Sequence, residues 1–188
     1  YIHKITGTRI KRATRPGVIL RVFSKENPET VEIMPITLEH GRLMLPEKVI
    51  SRLETAKPDA FYIFSEIGVY GKRIFIAGKT ANAVLYGTNA FIEDYLGVRW
   101  FHAGAEGEYC PKSKTLSVPA PIDDFREPWC DKRHDNCWHG SIKPWNMQDM
   151  EVWLTRRAFH WNINHNYDNL PRERLDHAWT GNTFQGYG

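Results

Sequence analysis

Residues 73 to 104, RIFIAGKTANAVLYGTNAFIEDYLGVRWFHAG, constrain the fold more than any other stretch of this chain. Arg73 to Ala77 is a β-branched and aromatic run closed by Gly78, the composition of a buried strand. Thr80 then stands where a helix wants an N-cap, because its hydroxyl can accept from an otherwise unpaired backbone N–H. Val84, Thr88, Phe91 and Tyr95 recur at helical spacing, and Leu85, Ile92 and Leu96 widen that stripe to a full apolar face. Gly97 is placed to end the helix in a left-handed cap, and Val98 to Phe101 resumes as strand. A strand, helix and strand in direct succession predict an α/β fold.

Other segments fit the same class. Val18 to Phe23 reads as a buried strand, and Val31 to Ile36 as a short edge segment ended by Pro35. Pro46 to Thr55 reads as a helix with proline in its first turn. Phe61 to Ile67 and Arg73 to Ala77 flank Gly68 to Gly71, the pattern of a hairpin. These elements predict a mixed β-sheet covered by helices.

The wording of the 73–104 stretch resembles the α/β domain that precedes the catalytic barrel in α-glucuronidases and β-hexosaminidases. It is most similar to a broad group of bacterial glycoside-hydrolase-like proteins, in which "I-x-G", "LYG…FLE…LG", "RWF" and "PG…GE…P" follow one another. The matching positions are Ile76 and Gly78, Leu85-Tyr86-Gly87, Phe91-Ile92-Glu93, Leu96-Gly97, Arg99-Trp100-Phe101, Gly104, Gly107-Glu108 and Pro111. Ala103 stands where that loop often has proline. Tyr1 to Gly7, YIHKITG, is similar to the "YL-x-KITG" end of the first helix of the same domain.

The resemblance continues into the second half. Glu127-Pro128 followed by Arg133 resembles the approach to the first barrel strand, and Arg157 to Asn162 resembles the helix after it. Trp179 to Phe184 is similar to a "G-H-T-F" segment, with Asn182 in place of the histidine. The resemblance therefore implies an accessory domain like the second domain of β-hexosaminidases over residues 1–125, lacking its first strand. Over 126–188 it implies the first elements of a truncated (β/α)8 barrel, since a whole one needs about 250 residues. It also implies a secreted or periplasmic protein that hydrolyses O-glycosyl bonds.

Composition supports two units independently of that resemblance. Six of the seven tryptophans and five of the eight histidines lie beyond position 128. Pro119, Pro121 and Pro128 interrupt any regular element at the junction. The formal charge of +3 is modest. Lys4, Arg9, Lys11, Arg12 and Arg15 have no aromatics among them, so the sequence predicts no nucleic-acid groove. No apolar run reaches the roughly 20 residues of a membrane span.

Glycoside hydrolysis usually needs two carboxyl groups facing each other across the scissile bond. Asp131, Asp135, Asp149, Asp168 and Asp176 show no spacing that singles out such a pair, and by resemblance the catalytic carboxylates come from later barrel strands. The expectation is therefore of no catalytic residue in this chain, and of no turnover by the chain alone.

Binding is the remaining role. Arg133 follows a predicted strand, Trp129 to Lys132, and would project near the barrel mouth, where a guanidinium fork suits a carboxylate or hydroxyls. A uronic acid fits that chemistry; pairing with a structural aspartate is the other reading. Trp138, His139, Trp161, Asn162, His165 and Trp179 are candidates for an apolar and hydrogen-bonding wall that meets sugar. Trp153 and Trp161 are equally placed to pack a barrel helix.

His134, His139, His160, His165, Cys130 and Cys137 lack both C-x2-C and H-E-x-x-H spacing, so neither a metal nor another cofactor is expected. Cys130 and Cys137 can close a short loop as a disulfide if the protein is exported, leaving Cys110 free. Two function classes stay open: part of a carbohydrate-active enzyme, and a non-catalytic carbohydrate-binding or structural module.

Overall fold

In the computed structural model, placement is described for residues 1–7, 10–12, 20–22, 30–68, 71–119, 121–129 and 147–156. The chain opens with α1 (Ile2–Thr6), two short strands β1 (Ile10–Arg12) and β2 (Leu20–Val22), and a longer β3 (Thr30–Thr37). Helices α2 (Leu38–Gly41) and α3 (Glu47–Thr55) follow, then β4 (Phe61–Gly68), β5 (Gly71–Gly78) and helix α4 (Ala81–Asp94). After α4 come β6 (Arg99–Trp100), a 3-10 turn at Ala105–Gly107, β7 (Glu108–Tyr109), β8 (Asp123–Arg126) and α5 (Met147–Arg156).

The main sheet has six strands in the order β1-β2-β3-β5-β4-β8. β4 and β5 form the predicted hairpin, antiparallel from Phe61↔Gly78 to Gly68↔Gly71. β3 lies parallel to β5, in register from Thr30↔Gly71 to Thr37↔Gly78, while β2 and β8 run antiparallel to their neighbours. The sheet is therefore mixed, and the fold is mixed α/β.

Both faces of the sheet are covered, which explains why β5 reads as an unbroken apolar run instead of alternating with polar residues. Ile33, Phe61, Ile63, Ile74 and Ile76 point to one face, where they meet Tyr86 and Phe91 of α4 together with Val98 and Trp100. Met34, Ile36, Tyr62, Phe64, Phe75 and Ala77 point to the other, against Val49, Ile50 and Leu53 of α3. Phe64 and Phe75 stack there with ring centroids 4.8 Å apart.

Helix α4 starts as its sequence predicts, with the Thr80 hydroxyl accepting from the N–H of Ala83 at 3.1 Å. It lies very close to the sheet. A Cβ on Gly87 would come within 2.8 Å of Ile76 and 3.0 Å of Phe61, so only glycine lets the backbone approach this far. Beyond the helix, Gly97 adopts φ 73°, and the N–H of Val98 reaches back to the carbonyl of Ile92 at 3.3 Å.

Two sequence expectations need correction. β3 is not a short edge segment ended by Pro35, but an eight-residue strand through Thr37 with neighbours on both sides. Its described pairing with β2 ends at Ile33, two residues before Pro35. The run Val98 to Phe101 does not join the main sheet either. Only Arg99 and Trp100 are strand, paired with Tyr109 and Glu108 in a separate two-stranded ribbon. Gly104, at φ 84°, and the 3-10 turn fold the chain straight back, so the nearest partner is local.

β8 ends at Arg126, and two contacts tie the residues just after it to the loop before β4. The Lys57 N–H donates to Glu127 at 2.7 Å, and the Lys57 ammonium donates to the Trp129 carbonyl at 2.9 Å. Helix α5 packs against α4 and the ribbon. Leu154 and Met150 are buried, and the Trp153 indole donates to the Trp100 carbonyl at 3.0 Å. No helix among the described residues is long and apolar enough to cross a membrane.

Candidate functional site

The densest polar cluster among the described contacts forms where α1, the β6–β7 ribbon and α5 meet. Its centre is Glu108, whose side chain is only 14% exposed. The Tyr1 hydroxyl donates to one carboxylate oxygen at 2.5 Å and the Lys4 ammonium to the other at 2.7 Å. The Arg156 guanidinium faces the first oxygen at 3.6 Å, an ion pair longer than a hydrogen bond. Arg156 also lies over the Trp100 ring, 5.0 Å from its centroid, and over the Tyr1 ring at 5.9 Å. The Trp100 indole completes the circuit by donating to the Tyr1 hydroxyl oxygen at 3.1 Å.

Local structure explains each placement. Helix α1 is a single turn capped by Gly7 at φ 72°, so Tyr1 and Lys4, three apart, lie on one side of it. The ribbon sets Glu108 opposite Trp100. Arg156 belongs to the last turn of α5, where a cation also suits the helix dipole.

The electrostatics follow from this geometry. Burial opposes the charge on Glu108, but the hydrogen bonds from Lys4 and Tyr1 and the charges of Lys4 and Arg156 outweigh it, holding the carboxyl below its ordinary range. The Tyr1 phenol is pushed up by burial and by its bond to Glu108. Lys4 is raised mainly by the same carboxylate. At neutral pH Glu108 is thus an anion held by two donors and the charge of Arg156, suited to fixing neighbours in place and poorly suited to protonating a leaving group.

Two further carboxylate clusters lie near β8. Asp123 accepts from Lys48 at 2.7 Å and from the Tyr62 hydroxyl at 2.5 Å, on an exposed surface. Asp124 binds Arg126 at 2.7 Å and accepts from Tyr95 at 3.1 Å. The Tyr95 phenol is pushed up to about 12 by burial and by the charge of Asp124. Between α1 and the loop at Lys112–Lys114 runs an open groove of about 660 Å³. Among the described residues no group of three His, Cys, Asp or Glu side chains stands close enough to hold a metal.

The residues expected to meet sugar, Arg133, Trp138, His139, Trp161, Asn162, His165 and Trp179, all lie outside the described residues. So do Cys130 and Cys137, the predicted helix at 157–162 and all but the first residue of the predicted strand Trp129 to Lys132. Trp153 packs inward as a structural residue. Cys110 is a partly buried free thiol.

The Glu108 cluster was not anticipated from the sequence. A signal for it existed: Tyr1, Lys4, Trp100 and Glu108 all belong to the segments that carry the family resemblance, YIHKITG, RWF and GE. Compared with known proteins, the chain matches no family model, no curated protein and no solved structure.

Proposed function

We propose that this chain belongs to a glycoside-hydrolase-like protein of α-glucuronidase type. Its α/β layer, similar to the second domain of β-hexosaminidases, braces a carbohydrate-active (β/α)8 barrel that begins near residue 126. The observation that carries this reading is the convergence around Glu108. Segments resembling the accessory domain, 107 positions apart at Tyr1 and Glu108, meet at one carboxylate and there hold Arg156 of the second segment. Such a junction is what a bracing domain requires.

Sugar is bound in this reading by Arg133, which takes the carboxylate of a uronic acid, and by Trp138, His139, Trp161, Asn162, His165 and Trp179, which supply apolar faces and hydrogen bonds. By resemblance, the acid and base of hydrolysis come from later barrel strands, and the protein works in a secreted or periplasmic setting. A non-catalytic carbohydrate-binding module is the other class of answer.

The test is a titration with uronic acids and with neutral oligosaccharides, followed by tryptophan fluorescence. Saturable quenching that favours acidic sugars and vanishes in Arg133→Ala is the expected result. No response at about millimolar sugar, a concentration that already admits weak binding, would remove the sugar site from these residues. Release of a chromophore from aryl glycosides by this chain alone would refute the placement of the catalytic carboxylates.

A further inference from the structure

The contacts of α5 are unequally built. On its apolar side Met150 and Leu154 are buried and the Trp153 ring is partly buried against the α/β core, contacts with no dependence on pH. Its last turn adds polar contacts: the Trp153 indole on the Trp100 carbonyl at 3.0 Å, the Asn89 amide donating to the Thr155 carbonyl at 3.4 Å, and Arg156 facing the Glu108 carboxylate at 3.6 Å. The Asn89 bond is long and weak. Of these contacts, the one at Arg156 depends on the charge of Glu108.

We propose that Glu108 is the catch of an acid-releasable latch that holds the end of α5 against the α/β layer. The groups packed around that carboxylate come from three elements: Tyr1 and Lys4 from α1, Trp100 from β6 and Arg156 from α5. Cys110, two residues along the chain from Glu108, is a partly buried thiol. Asp149, the acidic residue of the first turn of α5, stands at the opposite end of the helix from Arg156. With Glu108 charged, one anion lies between two cations. With Glu108 protonated, Lys4 and Arg156 face each other across a neutral acid, and the ion pair that adds to the seating of Arg156 over the Trp100 ring is lost.

The direction of the pH effect follows from linkage. Glu108 titrates lower in the folded protein than in the unfolded chain, so its contribution is complete above the ordinary carboxylate range and disappears as pH falls through its depressed folded value. The latch is therefore closed at neutral pH and opens in acid. It does not depend on sugar binding.

Hydrogen exchange on the whole chain tests this. At one neutral pH, Glu108→Gln, which mimics the protonated acid, is expected to lower protection of the α5 amides by about tenfold, the scale of one charged hydrogen-bond network. The amides of β5 should keep their protection. Arg156→Met, altering the α5 side alone, should give the same pattern and serves if Glu108→Gln fails to fold. In the wild type, α5 protection corrected for intrinsic exchange should fall as pH is lowered from neutral into the acid range, and should stay level in Arg156→Met. Unchanged α5 protection in the variants, equal loss in β5, or a level wild-type profile would each overturn the latch.

Discussion

The centre of the sheet and the corner around Glu108 are held by different physics. At the centre, Ile63, Ile74, Ile76 and Ala77 are fully shielded between two helix-covered faces, and their contribution is apolar burial. At the corner, Tyr1, Lys4, Glu108 and Arg156 meet as a network of charges and hydrogen bonds that is still partly open to water. Apolar burial is indifferent to protons and scarcely affected by ordinary salt, whereas a half-sheltered ion network responds to both. The molecule thus joins an apolar core to a polar corner at which α1, the β6–β7 ribbon and α5 meet.

The largest expected effect lies at the centre. Ile76→Ala should destabilise the whole fold by about 3 kcal/mol, because Ile76 is fully buried and Gly87 presses directly against it. Urea denaturation would measure this. A loss confined to α5 would contradict the division of roles.

A middle-sized effect is expected at the start of α4. Thr80→Ala removes the hydroxyl that accepts from the Ala83 N–H and should cost about 1 kcal/mol, read as a lowered midpoint with unchanged slope. Because α4 belongs to the centre, β5 and α4 amides should lose protection together.

The smallest effect sharpens the picture of the corner. Lys4 is 59% exposed, so Lys4→Met should change stability by about 0.5 kcal/mol or less, with Tyr1 and Arg156 still holding Glu108. A loss as large as that of Glu108→Gln in α5 exchange would mean that Lys4, and not Arg156, carries the latch.

How much of this was legible in the sequence depends on the range of the signal. The β4–β5 hairpin and helix α4 are written in short-range pattern: an apolar run, a capping Thr80 and a terminal Gly97. The stripe was less legible: the buried face of α4 is Ala83, Tyr86, Gly87 and Phe91, and Leu85 is exposed. Pro35 misled because proline reports a missing donor but not whether a neighbouring strand extends that far. β8 was invisible for a related reason. Asp123–Arg126 is polar, and only Phe125, packed on the Tyr62 ring at 5.6 Å, reveals that it covers a sheet edge. The Glu108 cluster lay further out of reach, since periodicity and spacing do not describe contacts made across most of the chain.

The parallel pairing of β3 with β5 has a consequence for the birth of the protein on the ribosome. The β4–β5 hairpin can zip as soon as it emerges, because its strands are neighbours in the chain. On its other edge from β2, β3 has no such partner at hand: Ile33 and Ile36 are synthesised well before Ile74 and Ala77, with two helices and β4 in between. Until β5 arrives, one edge of an apolar strand stands without its later neighbour, available to other nascent chains. The interval between the synthesis of β3 and of β5 is therefore one in which this edge is open to aggregation, and in which a chaperone that shields extended apolar segments would raise the yield.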